Sequence, residues 1–278
     1  MDLFHTFLDW PSMLSVLPAL LTVGLENTLI LAASSTLLGV IIGMFLAVMG
    51  ISKSAWLRIP ARIYTDIFRG LPAILTILLI GQGLASVGRS IFGPNPYPLG
   101  ILALSLIAGA YIGEIFRAGI QGVDKGQLDA CRALGMGYAV AMRLVVIPQG
   151  VRRMLPALVN QFIGNIKDSS LVYFLGLLTS QRELFRIGQD AAVNSGNLSP
   201  LVMAGIFYLI ITVPLTHLVN FIDARLRRGR KLTAVSSGLN EVNELRDAEL
   251  AGVSAHLIPE SPLDPATQPP GPNIGRTS

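Results

Sequence analysis

Apolar residues are gathered into five long windows, at 28–50, 71–87, 98–115, 158–180 and 198–222, with short polar stretches between them. Each window can cross about 30 Å of hydrocarbon as an α-helix, so the pattern predicts an all-α integral membrane protein with five transmembrane helices. Ahead of the first window, "WPSMLSVLPALLTVGLENT" is apolar but holds Pro11 and Pro18. That punctuation suits an interfacial segment better than a further crossing. Between the first two windows Ile59, Ile63 and Ile67 recur every fourth residue, with Arg58, Arg62, Asp66 and Arg69 on the other faces. A short amphipathic surface helix follows. In "RGLP", Gly70 is a joint and Pro72 sits where a helix start needs no amide donor. The three prolines of "FGPNPYPLG", 92–100, predict a stiff loop.

Between the third and fourth windows lies "QLDACRALGMG", 127–137, a polar stretch with helical spacing. Leu128, Cys131 and Leu134 form a narrow apolar stripe, Asp129 and Arg132 lie on the remaining face, and Gly135 stands where a left-handed cap ends a helix. A second helical piece, 138–146, is predicted to stop at Pro148. So short a helix is marginal alone, and its stripe needs a cover. That cover is either this chain's own helices or a groove on a partner.

Composition sharpens the membrane reading: 51% of residues are hydrophobic, 14% are charged, and the net charge is +4. No Lys or Arg precedes Lys53, so the first window lacks the basic start of a signal peptide and is expected to remain in the mature protein. Cations collect after the first, third and fifth windows, as Arg58, Arg62 and Arg69, then Arg117 to Arg153, then Arg225 to Lys231. Because such residues stay on the cytoplasmic side, an N-out, C-in topology is expected. Cations in juxtamembrane loops give a nucleic-acid role little support. Residues 1–27 then form an extracytoplasmic segment, 28–228 the transmembrane domain with a cytoplasmic loop near 117–157, and 229–278 a cytoplasmic tail. Six prolines between Pro259 and Pro272 predict that the tail is disordered.

The chemistry on offer is sparse. A single cysteine, Cys131, excludes an intrachain disulfide, and the three histidines, His5, His217 and His256, are scattered. There is no G-x-x-x-x-G-K-[ST], H-E-x-x-H or G-x-S-x-G stretch, so neither ATP hydrolysis nor an enzyme's catalytic set is expected here. Within the fourth window, however, lie Lys167 and Asp168, each costing about 2.5 to 3.5 kcal/mol if isolated in the bilayer. Two readings stand for them. They join a structural network with Asn160, Gln161 and Asn165, or they line a substrate path and meet the ammonium and carboxylate of a zwitterion. Ser169 and Ser170 can assist, or can bond their own backbone. Glu114 is a third charged candidate, with Arg117 three residues on as a ready partner.

The run Asp129, Ala130, Cys131, Gly135, Val145, Ile147 and Pro148 resembles the EAA loop of permease subunits of bacterial ABC importers, with Asp for the usual Glu and Cys for the usual Ala. "YIGEIFRAGIQGVDKGQLDACRALGM", "PQGVRRMLPALVNQFIGNIKDSSLVYFLGL" and "IFRGLP" extend the resemblance to the polar amino acid branch over roughly 20–228. It implies the type I (MetI-like) permease architecture in the bacterial inner membrane, with Leu128 to Gly135 and Pro148 as a coupling element for ATPase subunits. ATP and Mg would be bound by those partners, and no cofactor by this chain. It also implies a second permease subunit, identical or related, an extracytoplasmic amino acid-binding protein, and a polar amino acid as substrate, with glutamate, glutamine and aspartate favoured and basic amino acids left open. The competing expectation is a self-sufficient ion-coupled carrier, which five windows without inverted repeats disfavour.

Overall fold

A computed structural model describes residues 3–225, all of whose regular structure is helical. The tail expected at 229–278 lies outside the described residues. After α1 (Leu3–Phe7), Asp9 caps α2 (Trp10–Ala19) by accepting from the Ser12 amide at 3.2 Å, and Pro11 opens the first turn. A π-turn, Leu20–Gly24, then leads without interruption into α3 (Leu25–Ile51). The stretch expected to be interfacial is thus continuous with the first span. Pro18 is tolerated inside α2, and the carbonyl of Pro18 accepts from the Thr22 hydroxyl at 2.8 Å. The run Leu3–Ile51 counts 49 residues, roughly 70 Å at 1.5 Å per residue, so only part of it fits in hydrocarbon.

The amphipathic helix is α4 (Ala55–Gly70), and α5 (Ala73–Gly83) leaves it at a bend of 106°. The cause is Pro72, which disfavours helical geometry at Leu71 and leaves that residue extended, with φ −81° and ψ 142°. After α6 (Ala85–Phe92), the "FGPNPYPLG" loop proves shorter than expected. Already at Tyr97 the helix α7 (Tyr97–Gln121) begins, because Pro98 falls in its first turn, where no donor is needed.

Next come α8 (Lys125–Ala133), α9 (Tyr138–Ala141), a π-turn (Met142–Val146) and α10 (Ile147–Asp168). Pro148 does not stop this helix. The π-turn carries the chain past it, with the Ile147 amide bonding to the Met142 carbonyl, and Pro148 sits in the first turn of α10. The fourth window is not one helix either. Past Asp168 the chain tightens into 3₁₀ turns, Ser169–Leu175 and Thr179–Gln181, before α11 (Leu184–Ser195) and α12 (Ser199–Arg225).

The expectation of five long apolar helices is therefore corrected. Among the described residues three are long and apolar enough to cross, Leu3–Ile51, Tyr97–Gln121 and Ser199–Arg225, and the bent α4–α5 pair makes a fourth if counted as one. α5 is too short alone, and α10 carries Arg152, Arg153, Lys167, Asp168 and several amides.

Two apolar clusters organise the packing. One joins α2, α11 and α12 through Val16, Leu20, Leu184, Ala204 and Phe207; the other joins α3, α5, α7 and the first 3₁₀ turn through Leu31, Ile77, Leu104, Ile107 and Val172. The second cluster packs part of the non-helical stretch, Val172 and Leu177, against protein. The closest approach is between α3 and α7. A Cβ on Gly39 would lie 2.8 Å from the Ala108 Cβ, one on Gly43 2.8 Å from the Gly113 amide nitrogen, and one on Gly109 2.6 Å from Ile42 Cγ2. Only a seam of small residues allows that contact.

A single methyl group should open the seam. Gly43→Ala is expected to lower stability by about 1 to 3 kcal/mol through overpacking. Gly205→Ala, whose added Cβ would meet nothing within 4 Å, should leave the melting temperature of the detergent-purified protein unchanged. Equal melting of the two variants would contradict the seam.

Candidate functional site: the α8 loop and the broken helix

Asp124 starts α8 by accepting from the Gly126 amide at 2.8 Å. Its end is a Schellman closure. The Gly135 amide donates to the Arg132 carbonyl and the Met136 amide to the Cys131 carbonyl, each at 3.0 Å, and Gly135 takes φ +81°. That is the left-handed cap expected at Gly135. The apolar stripe, by contrast, divides. Cys131 is buried at 8% exposure and Leu128 half-buried, so this part packs on the chain itself, whereas Leu134 is 83% exposed. Asp129, Ala130 and Arg132 are exposed too, and beyond the cap so are Tyr138, Val140, Leu144 and Pro148. A side-chain bond from Gln149 to Gln127, 3.2 Å, ties α8 to the start of α10. The loop thus presents an outward face that is both apolar and charged, on a helix anchored from behind.

At the far end of α10, Lys167 is exposed and Asp168, the last helical residue, half-buried. Neither has an ion pair within 4 Å among the described residues. The Ser169 hydroxyl donates to the Ile166 carbonyl and that of Ser170 to the Lys167 carbonyl, both at 2.7 Å, so both serines bond their own backbone. The amide network lies one turn earlier and omits the charges. Buried Asn165 donates to Thr36 Oγ1 at 2.8 Å and to Ser35 Oγ at 3.4 Å, and accepts from Gln161 at 3.3 Å. It clamps α10 to α3.

Glu114 is held elsewhere. Arg117 forks onto it at 3.0 and 2.6 Å, and Arg69 stands 3.8 Å away. These three residues line a cavity of about 300 Å³ between α3, α4 and α7 that includes neither Lys167 nor Asp168. The charged candidates therefore form two separate groups.

Glu183 stands outside the residues expected from the sequence. Its carboxylate, with 0% exposure, caps α11 by accepting from the Phe185 and Arg186 amides at 2.6 and 2.7 Å, and from the Tyr208 hydroxyl at 3.1 Å. Burial pushes its pKa up to about 7, while the amides and Tyr208 favour the charged form. An acidic residue directly ahead of a helical stretch was the available signal. Next to it, Arg182 and Arg186 share Asp190 at 3.3 and 3.0 Å, and Arg186 lies 4.7 Å from the Tyr173 ring centroid.

Residues 39–228 match the family of binding-protein-dependent transport system inner membrane components. The chain belongs to this family. It is similar to the arginine transport system permease protein ArtQ of Bacillus subtilis, 33% identical over 79% of this chain and 98% of the relative. It is also similar to the glutamate/aspartate import permease protein GltK of Escherichia coli, 32% identical over 78% and 97%. Among solved structures, an amino acid ABC transporter crystallised with histidines has a chain 33% identical, with TM-score 0.70, covering 78% of this chain and 99% of that one. A chain of the MetNI methionine ABC transporter, 22% identical with TM-score 0.60, covers 80% and 99% and shares the fold.

The protein is thus a multi-pass component of the bacterial inner membrane, with the ABC-permease fold and a role in transport rather than catalysis. Membership decides against the self-sufficient ion-coupled carrier. Family members work with ATPase subunits, a binding protein and a second permease.

If the left-handed cap sets the angle of α8, Gly135→Val should strain it, at a cost of about 1 to 3 kcal/mol. In the reconstituted importer that variant is expected to lose uptake while ATP hydrolysis persists. Gly137→Val, at an extended position with φ −64° and ψ 150°, should transport normally. Full uptake by both variants would show that the cap plays no part.

Proposed function

We propose that this chain forms one side of the translocation path of an importer for polar amino acids, and that α8 receives the stroke of an ATPase partner. The observation that carries the reading is the end of α10. Lys167 and Asp168, without an ion pair within 4 Å among the described residues, are the last two residues of α10 before it gives way to a 3₁₀ turn. Charges inside a membrane are retained where they have a task, and one cation beside one anion complements the carboxylate and ammonium of an amino acid. Substrate class is supported by the arginine and glutamate/aspartate permeases the chain is similar to, and the preferred cargo is glutamate, glutamine or aspartate. Lys167 and Asp168 are the contacts; Ser169 and Ser170, their hydroxyls occupied by backbone, contribute by shaping the break, and Glu114 links α7 to α4 through Arg69.

The orientation is N-out, C-in. Five crossings are made by α2–α3, the α4–α5 pair, α7, α10 with its 3₁₀ continuation, and α12, with the segment before residue 28 reaching the outside. Asp129, Ala130 and Arg132 on α8 and Leu134 just after it, with Pro148 beyond, are exposed and face the ATPase, while Leu128 and Cys131 pack behind and Gly135 closes the helix. Two permeases, either copies or relatives, rock between outward-open and inward-open states as the ATPases close.

Liposomes containing the permease, its ATPase and the binding protein test this. Uptake of labelled glutamate or glutamine should require internal ATP and external binding protein. Asp168→Asn should lower uptake about tenfold or more while the assembly still elutes intact, if the carboxylate's interaction with the ammonium amounts to about 1.4 kcal/mol or more. Unimpaired uptake by Asp168→Asn would remove that residue from the path.

A further inference from the structure

The cavity between α3, α4 and α7 is far more cationic than its structural ties require. Four guanidinium groups, Arg58, Arg62, Arg69 and Arg117, surround it against two carboxylates, Asp66 and Glu114. Both carboxylates are engaged, Asp66 with Arg62 at 3.8 Å and Glu114 with Arg117 and Arg69. Arg58 has no carboxylate within ion-pair distance among the described residues, and Arg69 holds only a long contact to Glu114 and a cation–π contact to Tyr111 at 5.3 Å. An opening of about 300 Å³ with two uncompensated positive charges is a site for a small oxyanion.

The helix bearing most of those arginines also indicates the source of the anion. α4 buries only Ala61 and Thr65, and exposes Ile59, Ile63 and Ile67 along one edge while Arg58, Arg62 and Arg69 face the cavity. Trp56, near its start, is 90% exposed, as suits an aromatic ring at the boundary between hydrocarbon and water. A surface of this kind, apolar at one edge and cationic at the next, takes an acyl chain and a head group together. We propose that the cavity binds the phosphate head group of an anionic phospholipid, with Arg58 and Arg62 at its mouth and Arg69 and Arg117 within.

The site is independent of the amino acid path, so its test reads lipid rather than uptake. The complete importer, purified from mixed vesicles of phosphatidylglycerol and phosphatidylcholine, is analysed by native mass spectrometry for retained lipid. Phosphatidylglycerol should be retained in preference, and Arg58→Gln and Arg62→Gln, both at exposed positions, should each reduce its retention about fivefold. Arg89→Gln, an exposed arginine outside the cavity, should change nothing. Equal retention of the two lipids would overturn the proposal, as would an equal loss in Arg89→Gln. Displacement of the lipid by millimolar inorganic phosphate or glutamate would overturn it too, by making the cavity a site for soluble anions.

Discussion

The close approach of α3 and α7 is the constraint from which the rest of the architecture follows. With Gly39 and Gly43 facing Ala108, Gly109 and Gly113, the two helices approach to within backbone contact at these positions. In lipid there is no hydrophobic gain from helix association, so such packing and a few polar bonds must hold the bundle. The polar bonds are placed accordingly. Asn165 fixes α10 to α3, the Tyr64 hydroxyl fixes α4 to the Leu106 carbonyl of α7 at 2.9 Å, and Asn27 reaches the Ser180 carbonyl at 3.0 Å.

Two irregular regions interrupt the helical frame, one at each end of α10. The 3₁₀ passage after Asp168 is anchored against α3, α5 and α7 by buried Val172 and Leu177, which holds the chain where it leaves the α-helix. At the opposite end of α10, the π-turn admits Pro148 and keeps the helix continuous with α9. The Gln149–Gln127 bond joins α8 to the start of α10, the helix that ends at Lys167 and Asp168.

Much of this was legible in the sequence, and the misses have identifiable causes. The amphipathic period of α4, the cap at Gly135 and the Glu114–Arg117 pair are local features, set within one or two turns, and they stand as expected. Pro148 and the 92–100 loop were misjudged because a proline at a helix start looks, in sequence, like a proline at a helix end. Window 158–180 looked like a single span because hydropathy does not register a break that neighbouring helices cover. The glycine seam was readable as "GVIIG" and "GAYIG", two G-x-x-x-G runs in apolar context, but their pairing is a tertiary fact. The split of the α8 stripe, with Cys131 inward and Leu134 outward, depends likewise on which neighbours arrive.

The account rests on α8 being gripped by a separate ATPase through its outward face. Site-directed cross-linking tests this most directly, with Leu134→Cys in a Cys131→Ser background and a short bifunctional thiol reagent applied to membranes containing the partner ATPase. The account predicts an adduct between permease and ATPase whose yield changes on trapping with ATP. An adduct that never forms, or that forms equally well from a cysteine at Leu38 on the lipid-facing side of α3, would contradict it.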